Sequence, residues 1–366
     1  MIQTAEASTP PPLADHPDGV GFRVPYQLTW CHAADGVRLR AAFWQSPQPE
    51  RPTGTVLVVQ GRSEFVEKYR EVIGELGARG FATVAFDWRG QGRSTRQLGN
   101  LGKGHVEDFD DYLLDLDAII GEMTAREMPK PWTILAHSMG AAVALLALAR
   151  GPSPFVRAML SAPMVGLNGW NGSFLARMIA RTCASLGLAH AFVPTGRPTP
   201  VPQSAPFATN PLTSDERRYG VMCGWLDAAP SLGIGDPTIG WVDAAFNAMQ
   251  QFQNPEFGRV NRTPIMMILA GKDSIVSTKA AARLAHTMRG ASCITLPGIR
   301  HEVLMERDEA RNLFWRAFDE FVIRSEEQAS HREQTNPVNP PPFATEMPDL
   351  AAALDLQGLP SALGTT

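Results

Sequence analysis

Short apolar runs alternate with amphipathic stretches along most of the chain. The first run, Thr55–Val59, is nearly all apolar, as expected of a parallel strand that is covered on both faces. The predicted strands are Thr55–Val59, Ala82–Phe86, Thr133–Ala136, Ala158–Ser161, Ile265–Ala270 and Cys293–Leu296. The predicted helices are Phe65–Arg79, Phe109–Met123, Met139–Arg150, Thr278–Met288 and Asp308–Ile323. This alternation predicts the α/β class, with a mostly parallel central sheet and helices on both faces.

The alternation stops between residues 164 and 254. Aromatic and Met-rich helical pieces replace it, around a proline-rich hinge with the sequence PTGRPTPVPQSAP. An insertion of this length between two strands predicts a helical cap over the C-terminal edge of the sheet, where open α/β sheets bind ligands. Residues 22–163 and 255–323 would then form the core. Residues 1–21 and 324–366 are rich in proline and polar residues, and we expect both tails to be largely disordered.

Composition and charge narrow the classes of partner. The 366 residues carry a net charge of −4, and nucleic-acid binding favours a basic face, so we expect no nucleic-acid partner. The four cysteines lie far apart without a C-x-x-C pair, which predicts reduced thiols. The first residues lack the pattern of a signal peptide, and the longest apolar stretch, Ala141–Ala149, is about half a membrane span. We therefore expect a cytoplasmic protein without stable membrane insertion, while peripheral membrane contact and the oligomeric state stay open.

One segment has the pattern of a nucleophile elbow. The sequence TILAHSMGAAVALLALA predicts a strand, a tight turn and a helix, and its turn places Ser138 between two small residues, Ala136 and Gly140. Such a turn lifts the serine hydroxyl above the sheet, and small flanking residues avoid the neighbouring strand and helix. On its own, the pentapeptide fits equally well a serine that caps a buried helix.

Two later strands supply the groups that a nucleophilic serine needs. The strand IMMILAG leads to Asp273, and the strand CITLPG leads to His301, which gives the chain order Ser, Asp, His of α/β hydrolases. A serine hydroxyl is a weak nucleophile unless a base takes its proton. We therefore predict Ser138 as the nucleophile, His301 as the general base and Asp273 as the group that orients His301.

The same segments predict an oxyanion hole made of backbone N–H groups. Met139 follows the serine at the start of a helix, so its N–H points at a developing oxyanion. The loop after the first predicted strand, in VLVVQGRSEF, places the N–H of Arg62 opposite that of Met139. One such donor typically lowers the barrier by about 3–4 kcal/mol.

Together these segments resemble the monoacylglycerol lipase and lysophospholipase branch of the α/β hydrolases, often grouped with the serine-aminopeptidase-like hydrolases. The resemblance covers about residues 22–323 and is carried by VVQGRSEFVEKYREVIGELGARGFATVAFDWRGQGRS, LAHSMGAA, AGKDSIVS, PGIRHEVLMERDEAR and the cap segment NPLTSDERRYGVMCGWL. Members usually carry His-Gly where this chain has Gln60-Gly61, and a double glycine where it has Gly140-Ala141. The resemblance implies an α/β-hydrolase fold and esterase action on single-chain lipid esters, such as monoacylglycerols or lysophospholipids. We predict a capped α/β hydrolase that cleaves carboxylic esters through a Ser138 acyl-enzyme.

Apolar cap residues are candidates for contact with a small lipid or ester substrate. We predict Trp170, Trp225, Trp241 and Phe246 as substrate-binding residues, and note that such residues also form the core of a cap. No cofactor and no metal are expected. The pair His301-Glu302 begins like a zinc-protease motif, but a methionine stands where the second histidine belongs.

Two other functions fit the same residues. A serine aminopeptidase on this scaffold needs an acidic or amide group to hold a free amino terminus. The cap offers carboxylates at Asp215, Glu216, Asp227, Asp236 and Asp243. The second alternative is a catalytically silent hydrolase fold that acts as a binding module, against which an intact Ser, Asp and His set argues.

Overall fold

Eight strands form one sheet in the computed structural model, which describes residues 9–15, 25–168 and 174–324. The strands are β1 (Tyr26–His32), β2 (Arg38–Trp44), β3 (Gly54–Val59), β4 (Phe81–Phe86), β5 (Trp132–His137), β6 (Phe155–Ser161), β7 (Ile265–Ala270) and β8 (Ala291–Leu296). Their order across the sheet is β1-β2-β4-β3-β5-β6-β7-β8. Strands β3 to β8 run parallel, and β2 is antiparallel to both of its neighbours. All six predicted strands are present.

Helices cover both faces of this sheet. The α-helices are α1 (Arg70–Ala78), α2 (Asp110–Ala125), α3 (Ser138–Ala149), α4 (Phe174–Cys183), α5 (Val201–Ser204), α6 (Glu216–Ala228), α7 (Ile239–Gln251), α8 (Thr278–Thr287) and α9 (Asp308–Phe318). Short 3₁₀ helices span Val66–Tyr69, Phe207–Thr209, Pro230–Leu232 and Val303–Met305, and π-helical turns span Ala184–Leu188 and Asp319–Arg324. The fold is that of an α/β hydrolase, as the sequence predicts.

Burial explains why these apolar runs form the centre of the sheet. Every residue of β3, β4, β5 and β7 is buried, which suits strands with helices on both sides. Helix α3 is apolar around its whole circumference, and ten of its residues are buried. The chain thus places β5 and α3, with the turn between them, in the buried interior of the molecule.

Strands β1 and β2 form an antiparallel hairpin that the sequence analysis does not predict. Their residues pair in register from Tyr26 with Trp44 to His32 with Arg38. Arg40 of β2 is fully buried. It donates two hydrogen bonds of 2.9 and 2.8 Å to Glu67 and one of 2.7 Å to Asp87. A charged side chain is tolerated in this strand because its partners satisfy it.

The segment between β6 and β7 is helical, within the interval 164–254 predicted as a cap. It contains α4 to α7, and in its described residues the only β-pairing consists of two isolated bridges, Leu167 with Val276 and Phe192 with Thr238. Asp215 and Thr238 accept hydrogen bonds from the first-turn N–H groups of α6 and α7 and so fix where these helices begin.

Residues 9–15 are the described part of the predicted N-terminal tail. They form neither helix nor strand, but Leu13 is buried and the N–H of Ala14 donates a 3.1 Å hydrogen bond to Glu67. Apolar side chains and one backbone contact hold this short segment. The other tail residues, 1–8, 16–21 and 325–366, lie outside the described part of the chain.

The described chain divides into two units, one ending at Glu306 and the other beginning at Arg307. In the second unit, α9 continues into a π-helical turn, so the predicted helix Asp308–Ile323 is present with a change of helix type at Asp319. Within the described residues, no helix combines the length and apolarity needed to cross a bilayer.

Candidate active site

A strained turn presents Ser138 between β5 and α3. Its φ angle is +50°, a left-handed conformation that residues with a side chain rarely adopt. Close packing requires small neighbours at this turn. A Cβ added to Gly140 would lie 2.4 Å from the carbonyl oxygen of Gln60 and 2.6 Å from that of Val59. The turn therefore has the nucleophile-elbow geometry that the pentapeptide predicts.

Ser138, His301 and Asp273 form one hydrogen-bonded chain. The Nε2 atom of His301 lies 2.9 Å from the Oγ atom of Ser138, and its Nδ1 atom lies 2.7 Å from Oδ2 of Asp273. Asp273 follows β7 and His301 follows β8, so both loops leave the C-terminal edge of the sheet beside the serine. Ser138 is 8% exposed and His301 is 4% exposed. Water is thus largely excluded, which strengthens the electrostatic interactions among the three groups.

The carboxylate of Asp273 has a partner for each oxygen. Its Oδ1 atom accepts hydrogen bonds of 2.8 and 2.9 Å from the N–H groups of Ile275 and Val276, while Oδ2 faces His301. Burial alone would raise the pKa of Asp273, but these hydrogen bonds and the interaction with His301 outweigh it and lower the pKa. The side-chain amide of Asn168 donates to the Asp273 carbonyl at 2.7 Å and holds the loop.

The two predicted oxyanion donors lie on the turns after β3 and β5. Within the described residues, neither the N–H of Arg62 nor that of Met139 has a hydrogen-bond partner, so both are free to bind an anionic oxygen. The N–H of Gly61, in contrast, donates to Glu64, which fixes the loop just before Arg62. An N–H pair of this kind is the usual means of stabilising a tetrahedral oxyanion.

Gln60 stands where the family resemblance leads us to expect histidine. Its side-chain amide is buried and donates to the carbonyl of Phe86 and to Asp87, the latter at 3.2 Å. Its own carbonyl accepts a 2.7 Å hydrogen bond from the indole of Trp88. The end of β3 is therefore held to the end of β4 without a histidine.

Comparison with known proteins agrees with this geometry. The profile of the serine aminopeptidase S33 family (Hydrolase_4) matches residues 50–308. The chain belongs to this family. Within it, the chain falls in the monoacylglycerol lipase and lysophospholipase branch of the α/β hydrolases.

Two bacterial relatives and one solved structure illustrate that similarity. Lysophospholipase L2 of Escherichia coli (strain K12) is 32% identical over 313 residues, which are 81% of this chain and 88% of the relative. A probable lysophospholipase L2 of Haemophilus influenzae is 29% identical over 285 residues, which are 78% of this chain and 88% of the relative. The structure of a soluble variant of monoglyceride lipase from Saccharomyces cerevisiae superposes with a TM-score of 0.65 at 18% identity, covering 82% of this chain and 96% of that one.

Behind the serine turn of this S33-family chain lies a buried charge cluster that the sequence analysis did not identify, made of Glu64, Lys68, Tyr69, His137 and Glu302. Lys68 bonds Glu64 and lies 2.7 Å from Glu302, and the Tyr69 hydroxyl donates to Glu64 at 2.8 Å. Burial raises the pKa of Glu302, and the negative charge of Glu64 raises it further. Burial also favours the neutral form of Glu64, but the positive charge of Lys68 outweighs this effect and lowers the pKa of Glu64. One lysine thus links the loop after β3 that carries the predicted Arg62 donor, here called the oxyanion loop, to the residue after His301.

His137 of this cluster is a neutral core histidine. Its Nδ1 atom lies 3.2 Å from the carbonyl oxygen of Ser161, and its ring centroid lies 4.8 Å from that of His301. Burial lowers the pKa of His137 to about 3, and the Glu64 carboxylate offsets only part of that effect. This placement agrees with the assignment of His301, not His137, as the general base.

The cap residues predicted to bind substrate are buried where the structure describes them. Trp225 packs in a cluster with Phe65, Leu226, Ala229 and Leu232, which is the core of the cap against the loop after β3. Trp241 and Phe246 are both 5% exposed, and Trp170 lies outside the described residues. Their role as substrate contacts stays a prediction.

The side chain of Arg62 joins the oxyanion loop to the cap. It donates a 2.9 Å hydrogen bond to the carbonyl of Gly235, and its guanidinium lies 5.0 Å from the ring centroid of Trp241. The Ser63 hydroxyl donates to the neighbouring Ile234 carbonyl at 2.6 Å. The position of the cap and the position of the Arg62 N–H are therefore mechanically linked.

Proposed function

We propose that this chain is a serine hydrolase that cleaves carboxylic esters through a Ser138 acyl-enzyme. The observation that carries the proposal is the hydrogen-bonded chain from Ser138 through His301 to Asp273, with distances of 2.9 and 2.7 Å. His301 takes the serine proton as Oγ attacks the ester carbonyl carbon. The N–H groups of Arg62 and Met139 then donate hydrogen bonds to the carbonyl oxygen and stabilise its negative charge.

Collapse of the tetrahedral intermediate completes the first half of the reaction. His301 returns the proton to the leaving alcohol, the carbon–oxygen ester bond breaks, and the acyl group remains on Ser138. Water then attacks the acyl-enzyme, with His301 again as the base, and releases the carboxylic acid. Asp273 holds the imidazole in the tautomer with a proton on Nδ1 and stabilises the imidazolium formed in each half.

We infer that the substrates are single-chain lipid esters, either lysophospholipids or monoacylglycerols. The printed names of the relatives support this class, because lysophospholipase L2 matches most of the chain.

A serine aminopeptidase is the second candidate, favoured by the description of the family profile. That activity needs a free carboxylate in the cap to hold an amino terminus. Asp215 is paired with Arg218 at 2.9 Å, Asp236 accepts from the N–H of Arg197 at 2.8 Å, and Asp227 accepts from Gln203 at 3.0 Å. Three of the five cap carboxylates are thus already bonded within the cap, which favours the esterase, while Glu216 and Asp243 keep the aminopeptidase as the alternative.

A panel of four substrates tests the proposal. Turnover of a lysophospholipid, a monoacylglycerol, a short-chain aryl ester and an aminoacyl arylamide is measured side by side, with Ser138→Ala as the control. Fatty-acid release from either lipid that is abolished in the variant supports the proposal and ranks the head groups. Turnover confined to the arylamide would replace it with the peptidase, and no turnover of any substrate would favour a binding module.

A further inference from the structure

Two histidines and a glutamate from separate parts of the chain meet beside the cap. His105 and Glu107 lie on the loop between β4 and α2, and His190 lies in the cap between α4 and α5. Each residue offers one potential ligand atom, an imidazole nitrogen or a carboxylate oxygen. These three atoms all lie within 4.8 Å of one another. The two imidazole rings stand nearly perpendicular, with centroids 4.7 Å apart.

His105 is held as a metal-ligating histidine is usually held. It is 4% exposed, and its Nδ1 atom lies 2.8 Å from the hydroxyl oxygen of Thr238. Its Nε2 atom is buried and has no hydrogen-bond partner in the described part of the chain. A metal-bound imidazole typically makes such a bond with one nitrogen and offers the lone pair of the other. An unpartnered buried nitrogen is unfavourable unless a water molecule or a metal ion occupies the position in front of it.

The other two ligands are surface side chains, which change rotamer readily. Glu107 and His190 are exposed, while the backbone around His190 is fixed. Its carbonyl accepts a 2.7 Å hydrogen bond from Lys103, and the carbonyls on either side of it accept from the N–H groups of Ile239 and Gly240 at 2.9 Å. Gly240 also leaves room for the buried ring, because a Cβ there would lie 2.6 Å from Cε1 of His105.

We propose that His105, Glu107 and His190 form a binding site for a divalent transition metal, with Zn²⁺ the best match to this ligand set. Two imidazoles and one carboxylate, with a fourth position left for water, are typical zinc ligands. Tetrahedral zinc places its ligand atoms about 3.3–3.5 Å apart, so Glu107 and His190 need to move inward by about 1 Å. The nearby Lys103 ammonium is already bonded to the His190 carbonyl and lies 5.0 Å from the Phe192 ring centroid.

A metal at this site would join the core to the cap. His105 belongs to a core loop and His190 to the cap, so one ion bound by both resists their separation. The hydroxyl of Thr238 accepts from the N–H of Trp241 at 3.2 Å, and the Trp241 ring packs against Arg62 of the oxyanion loop. The ion would therefore stabilise the cap at its contact with the loop that carries the Arg62 N–H.

Metal titration of the full-length protein, freed of any affinity tag and treated with a chelator, tests the site. Co²⁺ is added alone and followed by its visible absorption, and bound Co²⁺ is then displaced with Zn²⁺. We expect one ion per chain with a tetrahedral Co²⁺ spectrum. Removal of a residue that only hydrogen-bonds a metal ligand typically weakens metal binding about 10–100-fold. Removal of a ligand itself, in His190→Ala, should therefore weaken binding at least about 100-fold. Glu107→Gln should weaken it at least about tenfold.

His286→Ala is the matched control, because His286 is also exposed and its Nδ1 atom lies 2.6 Å from the Ala282 carbonyl oxygen on α8. Its affinity for Co²⁺ and Zn²⁺ should equal that of the unmodified protein. Both test positions are exposed, so the variants should fold, which circular dichroism checks. The proposal is overturned if no stoichiometric binding occurs, or if His190→Ala binds either ion as tightly as the control.

Discussion

The Nζ atom of Lys68 lies 2.7 Å from the Oε2 atom of Glu302, and both side chains are almost completely buried. Lys68 also bonds Glu64, whose carboxylate accepts the N–H of Gly61. Glu302 follows His301 directly in the chain. A single ammonium group therefore connects the loop of the oxyanion donor with the loop of the general base, and the two carboxylates depend on it for charge compensation.

Replacement of Lys68 by methionine should destabilise the protein severely. Breaking a buried ion pair by removing one partner typically costs about 3–5 kcal/mol, because an unpaired charge stays buried. The free energy of unfolding of Lys68→Met in urea should fall by that amount. Arg150→Met is the control, since Arg150 pairs with Asp117 on the surface, where loss costs about 0–1 kcal/mol. Equal losses in the two variants would contradict the account.

Gly140→Ala should damage the oxyanion hole. Its new Cβ would meet the carbonyl oxygens of Gln60 and Val59 at 2.4 and 2.6 Å, so the loop after β3 must move away from the serine turn. Displacing one donor costs about 10²–10³-fold in kcat. Ester turnover under saturating substrate measures the effect. Gly121→Ala in α2 is the control, because its Cβ meets nothing within 4 Å, and alanine there should add about 0.5–1 kcal/mol of stability. Full activity in Gly140→Ala would contradict the proposed loop geometry.

His137 should make the protein less stable in mild acid. Its pKa is lowered by burial from 6.5 to about 3, so below pH 6.5 the unfolded chain gains a proton that the folded chain does not take up until about pH 3. The free energy of unfolding therefore falls with falling pH in this window, by up to about 1.4 kcal/mol per pH unit from this ring. Urea unfolding at pH 7.5, 6.5 and 5.5 measures the slope. In His137→Asn the slope should be smaller, and an unchanged slope would show that His137 does not titrate as described.

Asp273→Asn should fold normally and lose activity. The asparagine oxygen can still accept the N–H groups of Ile275 and Val276, but its amide no longer accepts the proton on Nδ1 of His301. With the imidazole in the wrong tautomer, kcat should fall by about 10⁴-fold. Asp227→Asn, in the cap, is the control and should retain activity. Near-normal kcat in Asp273→Asn would contradict the role assigned to Asp273.

The sequence predicts the parallel part of the fold, and it names the three residues that the structure brings into one hydrogen-bonded chain. Strands β3, β4, β5 and β7 are buried along their whole length and mostly apolar, so their pattern does not depend on distant partners. The three residues of the hydrogen-bonded chain each stand at a strand end, and parallel strands bring those ends together. Ser138, Asp273 and His301 are therefore placed by topology alone.

Features that depend on contacts far apart in the chain could not be predicted in this way. The first hairpin was missed because Arg40 gives β2 a charged pattern, and its burial requires Glu67 and Asp87 as partners. His105 and His190 lie on different loops with no motif spacing, so the sequence analysis expected no metal. The cytoplasmic location stays a prediction from the sequence.

The central claim, a covalent acyl-enzyme at Ser138, is tested most directly by reaction with a fluorophosphonate probe and location of the adduct by peptide mass spectrometry. We predict one adduct per chain on the peptide that contains Ser138, with ester turnover lost in proportion to labelling and no adduct in Ser138→Ala. An adduct on another residue, or ester turnover that persists in a fully labelled protein, would contradict the account.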